Sequence, residues 1–189
     1  EKLSGILDPV DPMEVVTVFN PWVDHLILEL EPTLNQSDGC IVIGITGSVC
    51  SGKTTAARVL HYLFQQRFPQ WKPSLLTLDN FLKTNAQIAN GPEGLKRKGF
   101  PETFRFDLAI ETLAQLKAGK AVTTPVYDHV RYDICHDEQK VFSDSQKIVI
   151  LEGIIAAQDT PGNHQRQHRF GNRHIRDFCD KLIFVCTHS

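Results

Sequence analysis

Cys40-Ile41-Val42-Ile43-Gly44-Ile45-Thr46, followed by Gly47-Ser48-Val49-Cys50-Ser51-Gly52-Lys53-Thr54, is the stretch whose reading decides the fold. Its first half is a continuous apolar run, the signature of a strand buried on both faces of a parallel sheet. Its second half fits G-x-x-x-x-G-K-[ST] at every position. Glycines in that pattern let backbone N–H groups turn inward around phosphates, and the helix that follows adds the positive end of its dipole. Lys53 is placed to reach the β and γ phosphates of ATP, and the Thr54 hydroxyl to ligate Mg²⁺. Gly47, Ser48, Val49, Cys50, Ser51, Gly52, Lys53, Thr54 and Thr55 therefore form the expected nucleotide-binding loop. A chain of this length meets the pattern by chance on the order of once in a hundred. The buried strand before it and the amphipathic helix after it make the chance reading the weaker one.

Working outward, the helix beginning near Lys53 carries Val59, Leu60, Leu63 and Phe64 on one face and ends by Pro69. Ser74 to Leu78, Lys147 to Leu151 and Lys181 to Cys186 read as further strands. Asp107 is expected to cap a helix running through Lys117, with Gly119 just past its end. Strands alternating with helices predict an α/β fold, a P-loop NTPase-type mostly parallel sheet flanked by helices. Upstream, Asp11-Pro12-Met13-Glu14 and Asn20-Pro21 predict two short helices, the second stopped by Pro32. Asn35 to Gly39 reads as a linker. The expected division is a helical extension over 1–39 and a P-loop core over 40–189.

The bulk composition narrows the function. A length of 189 residues with 41% hydrophobic and 22% charged residues suits one globular domain. A formal net charge of -2 argues against bulk binding of nucleic acid or an anionic membrane. The apolar runs are too short to cross a bilayer. Five cysteines without a CxxC pair disfavour a disulfide framework and a zinc site, and predict a reduced, cytoplasmic setting.

Two acids stand at strand ends. Asp79 follows Leu75-Leu76-Thr77-Leu78, where a carboxylate faces the ligand crevice of an open α/β sheet. It is the candidate general base, accepting the proton of an attacking hydroxyl; a turn-capping Asp is the alternative. Glu152, after Ile148-Val149-Ile150-Leu151, is the second candidate ligand of the Mg²⁺ site, with a structural turn acid as its alternative. In Pro125 to Asp133, Tyr127, His129 and Tyr132 are candidates for an acceptor pocket. Read alone, that segment is an ordinary loop with half-buried aromatics. Arg166, Arg169, Arg173 and Arg176, with His168 and His174, suggest either a lid or, more simply, a solvated loop.

Taken together, Ile45 to Leu60 (ITGSVCSGKTTAARVL), Thr77 to Leu82 (TLDNFL), Lys96 to Glu102 (KRKGFPE), Leu116 to Lys120 (LKAGK), Pro125 to Asp133 (PVYDHVRYD) and Ile148 to Gly153 (IVILEG) resemble the bacterial type I pantothenate kinases. These are relatives of uridine kinase and phosphoribulokinase. The resemblance implies ATP- and Mg²⁺-dependent phosphorylation of pantothenate, the first step towards coenzyme A. It implies that Lys53 and Arg58 contact nucleotide phosphates, Thr54 ligates Mg²⁺ and Asp79 is the base. Tyr127, His129 and Tyr132 then lie along the acceptor, where coenzyme A inhibits by competition, and Lys96 to Lys98 stand nearby. It also implies a homodimer. The sequence departs from the family in three places. Asp79-Asn80 replaces Asp-Gly, and Thr103-Phe104-Arg105 replaces Ser-Tyr-Asp. The chain also stops at Ser189, short of a C-terminal part that family members carry. The other readings are a uridine kinase-like enzyme acting on a different hydroxyl, and a nucleotide-binding fragment without turnover.

Overall fold

The structure, a computed structural model, describes residues 12–90, 98–157 and 173–186. Strand β1 (Ile41–Gly47) is buried at all seven positions and lies between β5 (Ile148–Glu152) and β6 (Lys181–Val185), with β2 (Ser74–Thr77) on the far side of β5. Every pairing in this four-stranded sheet is parallel. Side chains alternate between its two faces. Ile41, Ile43, Ile45, Ile148 and Ile150 pack with Val59, Leu60, Leu63 and Phe64 of α2 (Lys53–Arg67) and with Val23, Leu26 and Leu30 of α1 (Pro12–Gln36). Val42, Val149 and Leu151 face the other way, onto Ile110, Leu113 and Leu116 of α4 (Phe106–Lys117). Covering on both faces explains why β1 reads as one unbroken apolar run.

Before α4 comes α3 (Asn85–Ala89), a short helix closed by a capping box from Thr84 to Gln87. After α4, Val122–Asp128 and Asp133–Phe142 form an antiparallel hairpin, β3 and β4, separate from the main sheet. Phe142 is fully buried and anchors the hairpin in the α4 side of the core.

The expected fold class holds, and three local readings are corrected. The N-terminal region is one helix, α1, running through Pro21 and Pro32. An interior proline costs about 3 kcal/mol of helix stability. Val23, Leu26, Leu30 and Leu34 nonetheless form one buried stripe that crosses Pro32, partly buried Val16 and Phe19 pack on the same core ahead of Pro21, and that burial outweighs the lost backbone bonds. Asp107 sits within the first turn of α4 instead of capping it. The chain enters the helix earlier, at Arg105, whose N–H donates to the Phe81 carbonyl at 2.7 Å while Phe106 is buried. Residues 125–133 are strand, turn and strand, not a loop. Gly119 does follow α4 with φ 66, in the left-handed region that favours glycine.

Gly153, directly after β5, leaves no room for a side chain. A Cβ there would lie 2.7 Å from the Cβ of Leu78, the residue before Asp79. Gly153→Ala is therefore expected to destabilise the fold by about 1–3 kcal/mol through overpacking. Thermal melts check this, and an unchanged melting temperature would show that the two strand ends can separate freely.

Candidate active site

The strand order brings the site together. Neighbouring strands lie about 4.8 Å apart, so the carboxyl ends of β2, β5 and β1 stand side by side within about 10 Å. Each carries one part: Asp79 after β2, Glu152 at the end of β5, and the phosphate loop after β1.

The loop turns tightly. Gly47 lies so close to β6 that a Cβ would stand 2.3 Å from the Val185 carbonyl oxygen. Gly52 occupies the N-cap of α2 with φ 86, a left-handed conformation that glycine adopts without steric cost, and Ala56 N–H donates to its carbonyl at 2.9 Å. Ser51 N–H donates to the Ser48 carbonyl at 3.2 Å, closing the turn. Lys53 is buried, and its ammonium donates to the same Ser48 carbonyl. An ammonium has three protons, so this contact leaves others for a phosphate at the loop. Thr54, Thr55 and Arg58 are exposed on the first turns of α2.

Glu152, only 6% exposed, joins the phosphate loop to β2. Its Oε2 accepts from the Thr54 hydroxyl at 3.4 Å and its Oε1 from the Thr77 hydroxyl at 2.9 Å. Burial raises the Glu152 carboxyl above its ordinary range; the Thr77 hydrogen bond opposes this, Asp79 adds to it, and Lys53 and Thr54 oppose it. Asp79 is half-buried, and desolvation raises its carboxyl too, against the attraction of His129 and Lys53. Glu152 thus senses Asp79, and both carboxylates sense Lys53, so these three charges surround one small volume.

The hairpin supplies the opposite wall. The Tyr127 and His129 rings meet edge to face at 5.0 Å between centroids. Lys98 holds its ammonium 5.0 Å from the Tyr127 ring centroid, and it bonds Asp133 Oδ1 at 3.3 Å and the Tyr132 carbonyl. Tyr132 itself is exposed on the turn with φ 52. The structure therefore gathers Lys53, Thr54, Asp79, Glu152, Tyr127 and His129, while Tyr132 is exposed on the hairpin turn and Arg58 is exposed on α2. Lys96, Arg97, Arg166, His168 and Arg169 lie outside the described residues. Arg173 is described, with its guanidinium 5.4 Å from the Phe178 ring centroid.

Three residues that sequence reasoning did not place in the site hold it in shape. Asn80 is buried, and its Oδ1 accepts the Tyr127 N–H at 2.9 Å, tying the hairpin to the turn that carries Asp79. Arg105 donates from Nη2 to the Asn80 carbonyl at 3.3 Å. These are two positions at which the sequence departs from the family pattern, and they meet in space; the departures themselves were the available signal. Thr77 is the third.

The oxygen donors of Thr54 and Glu152 suit a hard cation such as Mg²⁺, which keeps several waters and binds through few protein groups plus phosphates. Among the described residues no group of three or more His, Cys, Asp and Glu could hold a metal. No described helix is long and apolar enough to cross a membrane, and all five cysteines are free.

Residues 42–189 match the Phosphoribulokinase / Uridine kinase family. The pantothenate kinase of Sodalis glossinidius (strain morsitans) is 40% identical over 199 residues, covering 97% of this chain and 61% of that protein. That of Lactococcus lactis subsp. cremoris (strain MG1363) is 38% identical, covering 98% of this chain and 61% of that protein. The chain thus spans about three fifths of the length of the curated relatives it matches. Among solved structures, a proposed fructose transport system kinase from Silicibacter sp. TM1040 superposes with a TM-score of 0.68 at 25% identity, covering 87% of this chain and 72% of that one.

Proposed function

We propose that this chain, which belongs to the phosphoribulokinase/uridine kinase family, transfers the γ-phosphoryl group of ATP to the hydroxyl of pantothenate. The observation that carries the reading is the convergence of the Lys53 ammonium, the Asp79 carboxylate and the Tyr127–His129 wall at the carboxyl edge of the sheet. The identity to pantothenate kinases supports the acceptor, because it spans the hairpin as well as the phosphate loop.

The chemistry is positioning plus charge stabilisation. Asp79 takes the proton of the acceptor hydroxyl. The freed oxygen forms a bond to the γ phosphorus as the bond to the β–γ bridging oxygen breaks, and that electron pair leaves with ADP. The loop N–H groups and Lys53 hold the phosphates and offset the charge that builds on them. Mg²⁺, when bound, neutralises phosphate charge; Thr54 and Glu152 are the residues that would hold it. Tyr127 and His129, with Tyr132 on the hairpin turn, line the acceptor, and the same face takes coenzyme A as a competing ligand.

Coupled measurement of ADP release tests this directly. Release should depend on added pantothenate and fall when coenzyme A is supplied. ADP release indifferent to pantothenate would contradict the proposal.

A further inference from the structure

Thr77 takes part in no chemistry of the proposed reaction, yet its hydroxyl bonds to both acid-bearing strand ends. It donates to Glu152 Oε1 at 2.9 Å and accepts the Asp79 N–H at 3.3 Å. A hydroxyl has one proton, and a carboxylate only accepts, so the direction of both bonds is fixed. Thr77 is paired with Glu152 in the parallel register of β2 and β5, and it is also the N-cap of the short 3-10 turn Leu78–Phe81 that carries Asp79. With one carboxylate oxygen held by Thr77, the other faces Thr54 on the phosphate loop.

We infer that Thr77 is a positioning residue that aims Glu152 at Thr54 and fixes the turn bearing Asp79, so that the cation-binding and proton-accepting groups share one anchor. This rests on the kinase reading above, but its primary test does not need turnover. Partners that orient a ligating group typically change metal affinity or activity by about 10–100-fold when lost. Valine has threonine's shape without its hydroxyl, whereas serine keeps the hydroxyl.

The experiment is calorimetric titration of ATP, with Mg²⁺ and with EDTA, into wild type, Thr77→Val and Thr77→Ser. Thr77→Val should lose about tenfold or more of the Mg²⁺-dependent gain in ATP affinity while its EDTA affinity stays at the wild-type value. Thr77→Ser should keep the gain. Glu152→Gln should lose it too, and the double variant should be no weaker than the worse single one, because both act through one contact. Pantothenate turnover should fall in parallel with the lost gain. A full Mg²⁺-dependent gain in Thr77→Val, equal losses in the valine and serine variants, additive losses in the double variant, or no gain in wild type would each overturn the inference. Absent turnover in wild type with these titrations as expected would instead overturn the pantothenate reading alone.

Discussion

Asp79→Asn is expected to lower pantothenate-dependent turnover by about a hundred- to ten-thousand-fold, the range for loss of a positioned general base. ATP affinity should change little, because the phosphate loop and Lys53 are untouched. The same variant should be more stable than wild type at neutral pH. Burial raises the Asp79 carboxyl from its ordinary value of 3.8 despite the attraction of His129 and Lys53. A group whose folded value is raised contributes stability that is fully present below the unfolded value and is lost as pH rises through the folded one. At neutral pH the Asp79 charge therefore opposes folding, and the neutral amide removes that opposition. The advantage should close as the pH falls and Asp79 takes up its proton. Melting curves at neutral and acid pH check the sign. A less stable Asp79→Asn at neutral pH would mean that the attraction of Lys53 and His129 exceeds the desolvation of Asp79, and a normal rate would remove Asp79 as the base.

Lys53→Ala should weaken ATP binding and lower turnover together. A hydrogen bond to a charged group is worth about 1.5–3 kcal/mol, which corresponds to a ten- to hundredfold or larger loss of affinity. Removing one donor that stabilises developing charge costs about 10²–10³ in turnover. A third consequence follows from the site's electrostatics. Lys53 lowers the carboxyls of both Asp79 and Glu152 towards their ordinary range. Without it both rise, so the acid limb of kcat/KM in the residual activity should move to higher pH. ATP titration and a pH–rate profile measure these effects. Unchanged affinity and rate would mean that the loop does not serve phosphate.

How much of this was legible in the sequence depends on how local each signal is. The β1–loop–α2 unit was legible because seven buried residues, the glycine spacing and the amphipathic helix are all contiguous. Asp79 and Glu152 were legible as acids at strand ends, but nothing local says that β5 lies between β1 and β2 and so makes them neighbours. Asn80 and Thr77 were missed as site residues because their side-chain partners, Tyr127 and Glu152, are 47 and 75 residues away. The same blindness misjudged α1. Pro21 and Pro32 are strong local breakers, while the core that carries the helix past them is built from β1, β5 and α2. The hairpin escaped notice because β4 is largely polar and its pairing with β3 shifts register between Pro125 and Tyr127.

The most direct measurement is mass-spectrometric detection of phosphorylated product after incubation with Mg·ATP and pantothenate, uridine or glycerate in parallel, with Lys53→Ala as the blank. Phosphopantothenate should form with the wild-type chain, be strongly reduced in the blank, and be the sole product among the three acceptors. Phosphorylation of uridine or glycerate instead, or no product from a chain that still binds ATP, would contradict the account.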